Sequence, residues 1–243
     1  MQTLMLTVKS NERLNHDTFS LVLEGDNLTF SAPGQFVNVY IPGLYLRRPI
    51  SVCQSTDTTV RLVFKVVGKG TSVMAGYKQG DVVDVLSPLG NGFDVNAEGK
   101  KALLVGGGVG TPPLLGLAEE LLKKGKEVKA VLGFNTSSDV ILEKDFRSLL
   151  GEGNVTVTTM DGSAGKKGLV TDALEECDVL YSCGPLPMMK AVAQKVKCKC
   201  YFSLESRMGC GFGACMGCSI QTANGAKRVC KDGPVFDGEV LIW

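Results

Sequence analysis

Ala102-Leu103-Leu104-Val105-Gly106-Gly107-Gly108-Val109-Gly110-Thr111-Pro112-Pro113 is the stretch on which the fold turns. Four apolar residues make a short buried strand. A glycine-rich turn follows at once. Pro112 and Pro113 then suit the first turn of a helix, where a missing N–H is no loss. An amphipathic helix is expected from about 113 to 124, and Val128 to Phe134 reads as the next strand. This is a βαβ unit with glycines at its first turn, the geometry that seats a dinucleotide pyrophosphate on a helix N-terminus. Gly106, Gly107, Gly108, Gly110 and Thr111 are the candidate contacts. The strict G-x-G-x-x-G fingerprint is not met, because prolines stand where its third glycine would fall.

Downstream, Val155 to Thr159 and Val179 to Ser182 read as strands, and 170–176 and 186–196 as helices. Strands alternating with helices argue for a doubly wound parallel sheet with ligands at the C-terminal strand ends. Cys183-Gly184-Pro185 occupies such an end and is a second candidate nucleotide contact. Cys183 itself reads either as a small buried apolar residue or as a contact near a nicotinamide ring. After Gly133-Phe134 the chain runs Asn135-Thr136-Ser137-Ser138-Asp139, with no cation until Lys144, which favours NAD over NADP. Met188 and Met189 read as helix packing, and Cys53, Cys177, Cys198 and Cys200 as structural.

Upstream, about six strands fall within the first hundred residues. They alternate in polarity or carry β-branched residues, and turns separate them. A small closed antiparallel barrel is the expected fold. Two of its stretches carry chemistry. Arg48-Pro49-Ile50-Ser51 places a guanidinium and a hydroxyl near one strand start, a pair able to grip phosphate. Val67-Gly68-Lys69-Gly70-Thr71 leads glycines toward a short helix, an anion-binding arrangement that an ordinary hairpin loop would also explain.

Near the C-terminus, Cys210, Cys215, Cys218 and Cys230 are spaced C-x4-C-x2-C-x11-C. Four thiolates in the C-x4-C-x2-C…C pattern fit a [2Fe–2S] cluster. The interleaved glycines let the backbone wrap one. Structural zinc is the rival donor reading, but its ligands usually come in short pairs. Disulfides fit less well, since the nine cysteines are odd in number and no secretory signal precedes them.

Composition bounds the rest. The 243 residues are 44% hydrophobic and 21% charged, with formal net charge +1. No basic patch argues for nucleic acid, and no apolar run is long enough to span a membrane. Free thiols without an export signal point to a reducing cytoplasm. One histidine, His16, argues against histidine-based acid–base catalysis. Three parts are expected: a barrel at 1–97, an α/β nucleotide domain at 98–200 and a cluster-binding subdomain at 201–243.

In this order, Arg48 to Ser51, Gly68 to Thr71, Gly106 to Pro113 and Cys183 to Pro185 resemble the ferredoxin–NADP reductase superfamily. With the four-cysteine loop added, the whole chain resembles the family of electron-transfer subunits of NAD-dependent (type 1B) dihydroorotate dehydrogenases. The resemblance implies FAD in the barrel. Arg48, Pro49, Ile50 and Ser51 would meet the flavin and its phosphates. Val63, Phe64 and Lys65 would line the next strand, and Gly70 and Thr71 would meet the pyrophosphate. It also implies cluster ligation by the four cysteines. The implied partner is an FMN-containing catalytic subunit, as a heterotetramer of two of each chain. Ile50 departs from the tyrosine common in the wider superfamily, and Trp243 is no clear counterpart of its C-terminal aromatic. Related subunits of sulfide dehydrogenase, ferredoxin–NADP transhydrogenase and hydrogenase complexes are the enzyme alternatives. The transhydrogenase type typically has aspartate where this chain has Cys210. A zinc-stabilised binding module is the non-enzyme alternative.

Overall fold

The computed structural model describes residues 1–26 and 28–243. Its first unit is built from β1 (Gln2–Arg13), β2 (Thr18–Glu24), β3 (Phe36–Val39), β4 (Arg48–Ser55), β5 (Thr59–Lys65) and β6 (Val82–Leu89). They close into a barrel in the order β1-β2-β5-β4-β3-β6. Alternation explains it. In β6, Val83, Val85, Ser87 and Leu89 are buried while the residues between them are not. Period-two burial of this kind lines one inner face. Leu6, Leu21, Leu23, Val39 and Leu62 fill the interior. The helix α1 (Lys69–Ala75) interrupts the β5–β6 connection.

The second unit follows with β7 (Lys101–Gly107), α2 (Pro112–Lys123), β8 (Glu127–Phe134), α3 (Glu143–Leu150), β9 (Val155–Thr159), β10 (Lys166–Lys167), β11 (Val179–Cys183), α4 (Leu186–Lys195) and β12 (Lys199–Ser203). Every residue of β7 after Lys101 is buried, as a central strand covered on both faces requires. The expected helix over 170–176 is a three-residue 3-10 turn, Val170–Asp172. The Asp172 carboxylate accepts the Leu169 N–H at 2.9 Å and closes the turn locally.

The last segment adds the hairpin β13 (Ser219–Thr222) and β14 (Gly225–Arg228), then β15 (Val235–Asp237). β15 pairs antiparallel with β12, so the seven-stranded sheet runs β10-β9-β8-β7-β11-β12-β15 and ends on an antiparallel edge. The sheet is therefore not purely parallel. The division expected at 200/201 falls inside β12. Cys218, Val229, Cys230 and Phe236 pack with Phe36 and Leu89, which seats this segment on barrel strands β3 and β6.

Barrel and sheet meet across α2. A Cβ on Gly116 would come within 2.6 Å of the Cys53 carbonyl, so only glycine lets helix and strand approach this closely. Arg61 Nη1 pairs with Asp145 Oδ1 at 2.6 Å across the same junction. Leu114, Leu117 and Leu121 are fully buried there, each contributing about 1.5–3 kcal/mol. Among the described residues no helix is long and apolar enough to cross a membrane.

Candidate functional site

The barrel offers a shelf. Arg48, Pro49, Ile50 and Ser51 open β4 and are only partly buried, whereas Val52 and Cys53 turn fully inward. The Arg48 side chain lies over α1, and a Cβ on Gly70 would meet its Nε at 2.2 Å. Thr71 Oγ1 accepts the Val67 N–H at 2.9 Å and donates to the Gly68 carbonyl at 3.1 Å, fixing the turn before α1. Val63 and Phe64 are buried at 4% and 2%, so their side chains serve the cores and β5 presents only backbone there. Lys65 remains accessible, and its ammonium pairs with Asp17 at 2.8 Å. Burial works against the Asp17 carboxylate, but the hydrogen bonds from Lys65 and Thr18 and the nearby positive charge together outweigh it and hold the pKa below the ordinary value. Ile50 packs against the barrel core. Trp243 packs edge-on to Phe202 with centroids 4.8 Å apart, on the sheet rather than at the shelf.

The two glycine turns lie against each other. Parallel pairing sets Cys183 beside Gly106. A Cβ on Gly110 would meet the Cys183 carbonyl at 2.5 Å, and one on Gly184 would meet Gly107 Cα at 3.0 Å. Glycines therefore let both strand ends close on one crevice. That crevice is a cleft of about 340 Å³, lined by Gly107, Gly108, Gly133, Thr158 and Pro185 from the sheet and by Asp17 and Lys65 from the barrel. Gly106 and Thr111 sit behind it: a Cβ on Gly106 would meet Thr111 Oγ1 at 2.9 Å. Burial pushes the Cys183 thiol up to about 12, which disfavours its thiolate form. Met189 is buried in the core, but Met188 lines the cleft and covers Gly107.

Thr158 is a residue that sequence reasoning passed over. It is 1% exposed and lines the cleft, yet its hydroxyl has no hydrogen-bond partner. A buried unpaired hydroxyl is unfavourable unless something fills its need. A ribose or phosphate in the cleft would do so. A lone threonine in a β-branched strand carries no signal of this in sequence.

The third component is the cysteine loop. Cys215 is exposed, Cys210 is partly buried, and Cys218 and Cys230 are buried at 2% and 1%. Backbone N–H groups converge on the sulfurs: Ala214 N and Cys215 N donate to Cys210 Sγ at 3.2 and 3.4 Å, and Cys230 N donates to Cys218 Sγ at 3.4 Å. Burial opposes the Cys210 thiolate, but the N–H groups of Cys215, Phe212 and Ala214 outweigh it and lower the pKa to about 6. The buried Cys230 thiol beside Cys218 is pushed up to about 12. Four cysteines, with backbone amides aimed at the sulfurs of Cys210 and Cys218, are a donor set suited to an iron–sulfur cluster. The Arg228 guanidinium donates to the Gly213 carbonyl at 2.9 Å and to Asp232 Oδ2 at 3.2 Å, tying the two halves of the loop together.

Comparison with known proteins decides what this assembly is. Residues 205–242 match the iron–sulfur cluster binding domain of dihydroorotate dehydrogenase B, and residues 104–194 match an oxidoreductase NAD-binding domain. The chain is 44% identical to a dihydroorotate dehydrogenase B (NAD(+)) electron transfer subunit from Geobacillus sp. (strain WCH70), over the whole length of both. The chain belongs to that family. The corresponding subunit of Bacillus caldolyticus is also 44% identical, over 98% of each chain. Among solved structures, the NADH-dependent reduced ferredoxin–NADP oxidoreductase is similar with a TM-score of 0.89 and 32% identity, covering 100% of this chain and 91% of that one. Phthalate dioxygenase reductase shares the fold at a TM-score of 0.69 and 23% identity, over 79% of this chain and 64% of that one. As a member of that family, the chain is part of an oxidoreductase. FAD, a [2Fe–2S] cluster and NAD(H) fit its three components, and its family places it between NAD(H) and a catalytic subunit.

Proposed function

We propose that this chain carries electrons between NAD(H) in the interdomain cleft and an FMN-containing dihydroorotate dehydrogenase subunit docked over the cysteine loop. One observation carries the reading. The flavin shelf at Arg48–Ser51 lies on β4, Lys65 on β5 faces the nucleotide cleft, and the neighbouring strand β3 contacts the cysteine loop through Asn38. The barrel thus stands between the nucleotide and the loop. FAD held at Arg48–Ser51 would supply the exchange between hydride transfer and single-electron transfer that a [2Fe–2S] cluster held by the four cysteines would require.

The residues divide the work. Arg48 and Ser51 hold the flavin phosphates and ring edge, Pro49 and Ile50 form its floor, and Gly70 and Thr71 meet its pyrophosphate. Gly106, Gly107, Gly108, Gly110 and Thr111 shape the seat of the dinucleotide, and Cys183, Gly184 and Pro185 face its nicotinamide. Cys210, Cys215, Cys218 and Cys230 hold the cluster. No histidine is required, since no proton is abstracted from carbon on this chain.

The docking surface includes the exposed apolar side chains of the cysteine loop. Phe212 and Met216 are 43% and 54% exposed on the loop. Arg47 stacks over Tyr40 with 5.3 Å between guanidinium and ring centroid, and its Nη1 donates to the Asn38 carbonyl at 3.4 Å. Aromatic, methionine and arginine side chains are enriched at protein interfaces. Two copies of each chain in a heterotetramer, working in a reducing cytoplasm that keeps the thiols free, complete the reading.

The test is an anaerobic titration of the purified holoprotein with NADH. The flavin absorbance should bleach first, and the signal of a reduced [2Fe–2S] cluster should follow in electron paramagnetic resonance. Flavin bleaching with no cluster signal would break the proposed sequence.

A further inference from the structure

Two loops meet at the end of the sheet opposite the nucleotide cleft. Glu175-Glu176-Cys177-Asp178 leads into β11, and Lys197-Cys198-Lys199-Cys200 leads into β12. Parallel pairing sets Val179 beside Lys199 and Leu180 beside Cys200, so the two approaches run side by side. Their thiols touch: Cys177 Sγ lies 3.4 Å from Cys198 Sγ. Cys200 Sγ donates to the Cys198 carbonyl at 3.2 Å and sits deeper, at 9% exposure. Cys177 and Cys198 are half-buried and open to small molecules.

Both loops are anchored. Asp178 Oδ2 accepts the N–H groups of Lys100 and Lys101 at 2.7 and 2.8 Å, which pins the first loop to β7. Lys199 pairs with Asp237 and Glu239, which pins the second to the β15 edge. The flanking charges are acidic on one loop and basic on the other. The two sulfurs are thus held in contact by contacts on both sides. None of the three thiols belongs to the C-x4-C-x2-C-x11-C set or lines the cleft.

The geometry points to Cys177 and Cys198 as a dithiol modification site, separate from the cluster ligands, that closes to a disulfide by exchange with an oxidised low-molecular-weight disulfide. The Cys198 thiolate attacks the small disulfide, forming a mixed disulfide and expelling one small thiolate. The second cysteine attacks the protein sulfur of that adduct and expels the other. Two protein thiols lose two electrons and two protons; the small disulfide gains both and leaves as two thiols. Closure moves the sulfurs from 3.4 Å to about 2.05 Å. The loop it closes runs from 177 to 198 and contains β11, the Cys183-Gly184-Pro185 turn and α4. Oxidation therefore staples the unit that walls the cleft at the end far from the nucleotide. A cross-link of this kind restricts the unfolded chain and favours the folded one.

The experiment exposes the anaerobic holoprotein to graded ratios of oxidised to reduced glutathione, alkylates the remaining thiols and maps them by mass spectrometry. The expected product is a Cys177–Cys198 cross-link, seen as two lost alkylation sites and a mass decrease of about 2 Da, with cluster absorbance unchanged. Cys177→Ser should instead hold a glutathione adduct on Cys198 that the wild type does not accumulate. The thermal midpoint should rise on oxidation in the wild type and not in Cys198→Ser. Persistent glutathione adducts on the wild-type pair, a cross-link through Cys200, cluster loss before the pair reacts, or no reaction at the pair would each overturn the proposal.

Discussion

Asn38 Nδ2 donates to the carbonyl of Cys210 at 3.2 Å, joining barrel strand β3 to the first cysteine of the loop. Asn38 is 1% exposed, and its Oδ1 has no partner. Gly211 makes the approach possible, since a Cβ there would fall 2.4 Å from Asn38 Nδ2, and its φ of +80° suits glycine. Replacing Asn38 with Ala removes the tether at about 1 kcal/mol. NADH should still bleach the flavin at the wild-type rate, while the cluster signal should appear more slowly and with an altered lineshape. An unchanged cluster signal and rate would mean that the contact does not position the loop.

The Asp232 carboxylate accepts the Arg228 N–H at 2.7 Å as well as its guanidinium. These contacts, the backbone one first, hold its pKa below the ordinary aspartate range. A depressed value means the folded state binds the proton less readily than the unfolded one. Its stabilising contribution is therefore complete above the ordinary aspartate value and is lost as pH falls through the lowered one. Asp232→Asn should flatten that part of the acid dependence of cluster retention, read as iron released against pH. The rest of the acid profile should stay in place.

Gly110 has no room for a side chain, because a Cβ would press on Cys183 and Gly184. Gly110→Ala should part the two turns and raise the KM for NADH roughly tenfold or more. Flavin and cluster absorbance should stay intact. Steady-state kinetics with an artificial electron acceptor measures this directly.

Thr158→Val should produce effects of opposite sign. Removing an unpaired buried hydroxyl from the free protein should stabilise it by about 1 kcal/mol. Removing a nucleotide contact should weaken NADH binding. Calorimetric unfolding and NADH titration of the same sample read the two effects, and a loss of stability with unchanged affinity would show that the hydroxyl does not face the ligand.

Lys65 is the one cation among the described residues lining the cleft, and Asp17 already neutralises it. No free positive charge awaits a 2′-phosphate there. The kcat/KM for NADPH should fall below that for NADH by roughly tenfold or more.

Local signals made much of this molecule readable in advance. The alternation in β1, β2 and β6 is a property of each strand alone, and so is the glycine-rich exit of β7. The cysteine spacing likewise requires no knowledge of the fold. What was missed depends on distant neighbours. β15 is three residues long and is a strand because β12 offers it an edge. α3 is preceded by Leu142, at a φ of +58° and with no polar side chain to signal a cap. The turn at Val170–Asp172 resembled a helix start until the Asp172 carboxylate closed it. Asn38 and Thr158 matter through what they face, which only the closed barrel and the assembled sheet determine.

The most direct test of the account joins this chain, with its flavin and cluster bound, to the FMN-containing dihydroorotate dehydrogenase subunit from the same source. Dihydroorotate and NAD are then added without oxygen, and NADH formation is followed by absorbance. The account predicts NADH only when both chains are present. NADH oxidation by this chain with artificial acceptors, but no NADH from dihydroorotate in the mixture, would contradict it.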